Sequence, residues 1–194
     1  MKKRLLFAGV GGQGVLTGAK ILAQAMLAQD VHVFMSEVHG MAQRGGSVVC
    51  TVCAGDVHSP LIADGTADAI IAMEPMEALR RIHKLRSDGV VLTDVNPVIP
   101  PNVSMGYHEY PRLDDVFTEL AERSSLVKID ALQLARDAGH AITKNIVMLG
   151  ALAGLDILPV KREAVIASVR QAVPNDYVEM NEKAFNLGFK DTRK

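Results

Sequence analysis

Residues 31–55 read VHVFMSEVHGMAQRGGSVVCTVCAG. VHVFM (31–35) and SVVCTVCAG (47–55) have the β-branched, apolar make-up of strands. Only residues 36–46 separate them, and Gly40, Gly45 and Gly46 fall inside that spacer. A parallel connection needs a crossover of about a dozen residues or more, usually a helix. This spacer suits a loop with one helical turn at most, so the two strands can run antiparallel within an otherwise parallel sheet.

Outward from there, the chain alternates strand and helix. KRLLFAG (3–9) is a short buried strand, and apolar and small residues recur at helical spacing from Gln13 to about Gln29. ADAIIAME (67–74) is a strand followed by a helix from Pro75 to about Leu85, with proline at its first position. GVVLTD (89–94) is another strand, and YHEYP (107–111) reads as a short edge strand after a proline-rich loop. A helix over 113–123 and a strand over 126–130 precede helical patterns at 130–139, 143–155, 161–173 and 175–189. The expected fold is α/β: a Rossmann-like three-layer arrangement with a mostly parallel sheet, which the short spacer can make mixed, and a helical C-terminal tail, in a single domain over 1–194. Small residues at Gly150, Ala151, Ala153 and Gly154 would let a second backbone approach that tail closely.

The composition narrows the function. The sequence is 48% hydrophobic and 22% charged with a formal net charge of -1, so no global field draws it to nucleic acid or acidic membranes. No run approaches the roughly twenty apolar residues of a membrane span, and LLFAGV after the N-terminal lysines is too short for a signal core. The expected compartment is the cytoplasm. Cys50 and Cys53 form a CxxC, but on a strand residues three apart face opposite ways, so two buried structural thiols are expected rather than a redox or metal pair.

Two loops carry chemistry. GVGGQG (9–14) satisfies GxGxxG between a strand and a helix, the setting in which glycines make a tight turn and helix N–H groups meet phosphate. Gly11, Gly12, Gln13 and Gly14 are therefore candidate anion contacts, with the Gln13 side chain free to point outward. In the second loop Arg44 offers a planar fork for carboxylate or phosphate, and Gly45 and Gly46 leave room for a ligand beside it. His39 can donate, accept or carry a proton, Gln43 adds an amide, and Glu37 can orient His39 or Arg44. If strands one and two are neighbours with carboxyl ends on one side, both loops open on the rim where α/β sheets bind ligands. No nucleophile–base pair and no cysteine set for an iron–sulfur cluster accompanies them. Three readings stay open on these residues: part of a shared site, a nicotinamide-dependent dehydrogenase, or a pure assembly module.

GVGGQGVLTGAKILAQAM, SEVHGMAQRGGSV, ADAIIAMEPMEALR, NIVMLGALAGL and NEKAFNLGF, in that order, resemble the gamma-type subunit or domain of 2-oxoacid:ferredoxin oxidoreductases. Within it, the SEVHGMAQRGG form is most similar to the branch that takes indolepyruvate. The resemblance implies a non-redox subunit, inactive alone, of a complex that oxidatively decarboxylates a 2-oxoacid to its acyl-CoA. Thiamine diphosphate and iron–sulfur clusters would lie on a large alpha partner, coenzyme A would be the co-substrate, and ferredoxin would be met through the complex. No cofactor is expected on this chain alone, and whether the isolated chain forms a homodimer is left open.

Overall fold

A computed structural model describes residues 2–40 and 45–193. The strands are β1 (Lys2–Val10), β2 (Val33–His39), β3 (Ser47–Gly55), β4 (Ala67–Ala72), β5 (Leu85–Asp94) and β6 (Ser125–Ile129). The helices are α1 (Val15–Leu27), α2 (Pro75–Arg81), α3 (Pro101–Ser104), α4 (Leu113–Arg123), α5 (Ala131–Ala138), α6 (Lys144–Gly154), α7 (Arg162–Ala172) and α8 (Val178–Thr192).

The six strands form one sheet in the order β2-β3-β1-β4-β5-β6. β3 runs antiparallel to both β1 and β2, while β1, β4, β5 and β6 pair in parallel. The sheet is thus mostly parallel and mixed through a single reversed strand, as the short 36–46 spacer requires. β1 and β4 sit centrally, and their apolar runs are buried on both faces, the expected state of parallel strands covered on each side.

Two hydrophobic clusters lie on opposite faces. One contains Leu5, Phe7, Cys50, Ile71 and Leu92 with residues of α1 and α5–α8. The other contains Leu6, Ala8, Cys53, Ile70 and Val91 with residues of α2 and α4. Cys50 and Cys53 are therefore buried free thiols on different sides of β3, as strand periodicity dictates. Burial pushes the Cys50 thiol up to about 11, with Glu37 reinforcing it, and burial also raises Cys53. Thiolate is then scarce near neutral pH. Neither cysteine should react measurably with a thiol reagent at pH 7 until the chain is unfolded, and Ellman titration with and without denaturant checks this. Because the folded Cys50 pKa lies above the unfolded value, its contribution is intact below about 9, and stability falls as pH climbs towards about 11.

The C-terminal helices join through glycine. A methyl group built on Gly150 of α6 would overlap the Phe185 carbonyl of α8, and one on Gly188 would overlap the Val147 carbonyl. Farther along, a methyl on Gly154 would meet Thr192, whose hydroxyl donates to the Ala151 carbonyl at 2.7 Å. The small-residue stripe is packing inside the chain.

Four expectations are corrected. β3 lies between β1 and β2, so those two are not neighbours, although their carboxyl ends do point the same way. β2 continues to His39 because its ladder to β3 carries on through polar residues, which an edge strand tolerates; Glu37 and His39 are thus strand residues. α2 ends at Arg81, and β5 begins at Leu85, with a register shift opposite Ala67–Ala69 that accommodates its charged stretch. Residues 107–111 form no strand: Pro111 lacks a ladder N–H, and Tyr110 anchors the segment by its hydroxyl to Glu74.

Candidate functional site

Strand β1 is followed by α1 on one face of the sheet, and its parallel neighbour β4 is followed by α2 on the other. The two chains diverge at the carboxyl ends of the strands, which makes this the switch point where α/β sheets open a crevice. The glycine loop lies there. Gly12 and Gly14 adopt left-handed backbone (φ 101° and 76°), and Gly14 caps α1. A side chain at Gly14 would also collide with Asn145 on α6.

Gln13 does not point outward. Its Oε1 accepts from the Val10 N–H at 2.7 Å and its Nε2 donates to the Met73 carbonyl at 3.0 Å, so the amide bridges β1 and the end of β4 across the crevice. The short loop leaves the Val10 N–H and the Met73 carbonyl within reach of one amide, which satisfies both. Gln13→Leu keeps the size and removes both bonds, and it should cost about 2 kcal/mol of stability, measured by urea unfolding.

The hairpin meets the glycine loop directly. The Gly11 N–H donates to the Gly46 carbonyl at 2.8 Å, and the Gly45 N–H faces the Gly11 carbonyl at 3.5 Å. Both marked loops therefore share one rim even though β3 separates their strands. Gln43 and Arg44 lie outside the described residues.

Three hollows surround this rim. The largest, about 860 Å³, is lined by Gly12, Gln13 and Gly14 together with His140, Lys144 and Tyr177. A second, about 340 Å³, takes His39, Gly40 and Ser47 into its wall, and a third, about 370 Å³, takes Gly45. The structure thus gathers Gly11, Gly12, Gln13, Gly14, Gly45 and Gly46 but sends His39 to another hollow. Glu37 is exposed and, among the described residues, makes no ion pair and no side-chain hydrogen bond, so it does not orient His39.

Sequence reasoning missed the polar support under the largest cavity. Lys144, at the first position of α6, forms an ion pair with the fully buried Asp94 and donates to the Met73 carbonyl at 3.0 Å. Asp94 in turn accepts from the Ala131 N–H and from Asn96, both at 3.1 Å. The available signal was a carboxylate ending the apolar strand VLTD, since a charge at such a position needs a partner. Beneath the third hollow Glu74 caps α2 by accepting the Glu77 N–H at 2.9 Å, and it also accepts the Tyr110 hydroxyl. Burial first, then that bond, raises the Tyr110 pKa and keeps the phenol protonated.

Against known proteins, the family model described as pyruvate ferredoxin/flavodoxin oxidoreductase matches residues 4–190. The chain belongs to this family. Among curated relatives of this oxidoreductase family, it is 42% identical over 189 residues to indolepyruvate oxidoreductase subunit IorB of Pyrococcus horikoshii, covering 96% of this chain and 94% of the relative. It is 39% identical over 190 residues to the same-named subunit of Methanothermobacter thermautotrophicus, covering 97% of each. The crystal structure of the keto/oxoacid ferredoxin oxidoreductase gamma subunit from Geobacter sulfurreducens superposes with a TM-score of 0.72 at 27% identity, covering 98% of both chains.

Membership invites a test of the family's redox chemistry on these residues. The two cysteines face opposite sides of the sheet, and no group of three His, Cys, Asp or Glu residues among those described is placed to hold a metal ion. These residues do not fit an iron–sulfur cluster. Among the described residues no helix is long and apolar enough to cross a membrane.

Proposed function

We propose that this chain is the non-redox subunit of an indolepyruvate oxidoreductase, in which a 2-oxoacid with an aryl side chain is decarboxylated and its acyl group passed to coenzyme A. The observation that carries this reading is the 39–42% identity, over nearly the whole of both chains, to subunits of that name. Thiamine diphosphate and the clusters then reside on a large alpha partner, which passes electrons to ferredoxin in the cytoplasm. The chain's single domain supplies one wall of a shared site: the joined rim of Gly11–Gly14 and Gly45–Gly46, with Arg44 and Gln43 between the hairpin glycines. A planar guanidinium there suits a carboxylate or a phosphate.

The residues of this chain bind and orient; they transfer no electrons. Gln13 holds the glycine loop closed, and Lys144 and Asp94 fix the floor of the adjoining cavity. The same geometry counts against a nicotinamide site, because the Gln13 amide fills the crevice where a dinucleotide's pyrophosphate would approach the loop.

Co-expression with a large thiamine- and cluster-binding chain should give indolepyruvate- and coenzyme A-dependent reduction of a viologen dye. The isolated chain should give none. In the complex, Arg44→Ala should lower kcat/KM about tenfold to hundredfold with assembly intact, the loss of one charge-assisted contact. Normal kinetics in that variant would remove the anion role. Tight NAD binding by the isolated chain, abolished by Gly11→Val, would replace the whole reading with a dehydrogenase.

A further inference from the structure

The 340 Å³ hollow lies on the α2 face of the sheet, the opposite face from the helices that wall the large cavity. There α2 packs over β1, β4 and β5, while the segment after β3 folds back over that strand, the Thr51 hydroxyl donating to the Pro60 carbonyl at 2.7 Å. The walls are apolar: Leu6, Val38, Val49, Leu61 and Ile62. Val38 and Leu61, 65% and 74% exposed, bring two apolar side chains together at its mouth.

The charged side chains of the hollow are Lys84 and Arg81, with three hydroxyls beside them; His39 alternates with its partner Val48 to the opposite face, and no carboxylate lines the hollow. Lys84 is neutralised by Asp64, 2.6 Å away. Arg81 is different. Its Nη2 donates to the Ser47 hydroxyl at 3.2 Å, and Ser47 donates to Glu77 at 2.5 Å. Glu77 is itself paired with Arg80 at 3.5 Å. The serine therefore orients the guanidinium without giving it a carboxylate. Its Nε is buried and has no hydrogen-bond partner among the described residues. A buried donor on a charged group is seldom left without an acceptor.

A concave apolar hollow whose oriented guanidinium has no direct carboxylate partner, Glu77 standing one hydroxyl away, suits a monoanion with an apolar body. The hollow's volume of about 340 Å³ is near the lower end of small-molecule pockets, about 300–1,000 Å³, and is ample for a small organic acid. The geometry points to a second ligand site on this chain, a small-carboxylate pocket in which Arg81 takes the carboxylate and Val38, Val49, Leu61 and Ile62 hold an apolar or aromatic side chain. The pocket borders the glycine rim on the other face of the sheet from the large cavity, and its ligand does not depend on the function proposed for that rim.

Phenylacetate is a suitable probe, with acetate and inorganic phosphate as comparisons. Titrated into the methyl-labelled chain, phenylacetate should shift the Val38, Val49, Leu61 and Ile62 methyl signals saturably. Acetate should bind at least tenfold more weakly, for want of an apolar body. Arg81→Met should weaken phenylacetate about tenfold to hundredfold, the loss of a hydrogen-bonded charge contact. Should that variant fold poorly, Val38→Asp offers a second test, since it changes an exposed side chain and places a carboxylate in the wall of the same hollow; binding should vanish with Tm unchanged. Absence of saturable shifts at these methyls, equal binding of phosphate, or unchanged affinity in a folded Arg81→Met or Val38→Asp variant would each overturn the proposal.

Discussion

Lys144→Met is expected to lower the unfolding free energy by about 3–5 kcal/mol, the usual cost of leaving a buried carboxylate without its partner. Asp94 is fully buried at the end of β5, and Lys144 reaches it from the start of α6. The same carboxylate accepts the Ala131 N–H that begins α5, while Lys144 also holds the Met73 carbonyl beyond β4. One ion pair therefore fixes the ends of two strands and the beginnings of two helices. The double variant Asp94→Asn with Lys144→Met keeps an acceptor for Ala131 and removes the buried charge, so it should regain more than half of the loss. Urea unfolding of the four forms gives the coupling directly. Strict additivity would mean that the pair is not what joins these ends.

The second large effect belongs to the α6–α8 contact. Gly188→Ala and Gly150→Ala should each cost about 2–3 kcal/mol net, even though alanine favours a helix over glycine by about 1 kcal/mol. The added methyl would meet a backbone carbonyl of the facing helix, Val147 in one case and Phe185 in the other. A side chain can rotate away; a carbonyl inside a helix cannot, so the helices must separate. Gly12→Ala is the contrasting case. Nothing lies within 4 Å of its added methyl, and its cost of about 1–2 kcal/mol comes only from φ at 101°. Thermal unfolding of the three variants should rank Gly12→Ala as the mildest.

Much of the architecture was legible because the hydrophobic period switches cleanly along the chain. β3 and α4 fall on the expected residues, and the short 36–46 spacer correctly signals a reversed strand. The order of strands was not legible, since nothing local tells β3 to slot between β1 and β2; that follows from which apolar faces can be covered together. Residues 107–111 misled for the opposite reason. Their aromatic content mimics a strand, but Tyr110 spends its hydroxyl on Glu74 and Pro111 has no N–H to give a ladder. At the site, the glycines identified themselves through their need for unusual backbone, and they do sit together. Gln13, Lys144 and Asp94 were invisible as a group because their partners are carbonyls and charges distant in sequence.

The reversed strand also decides how much slippage the sheet can absorb. The ladder between β2 and β3 closes at the Gly40 N–H to Ser47 carbonyl bond, and the Gly11 N–H to Gly46 carbonyl bond ties the same end to the glycine loop. A one-residue slip of β3 would turn Cys50 and Cys53 into each other's hydrophobic cluster at once. One strand thus holds both of its neighbours to a single register, and an error in it would be felt on each face of the sheet.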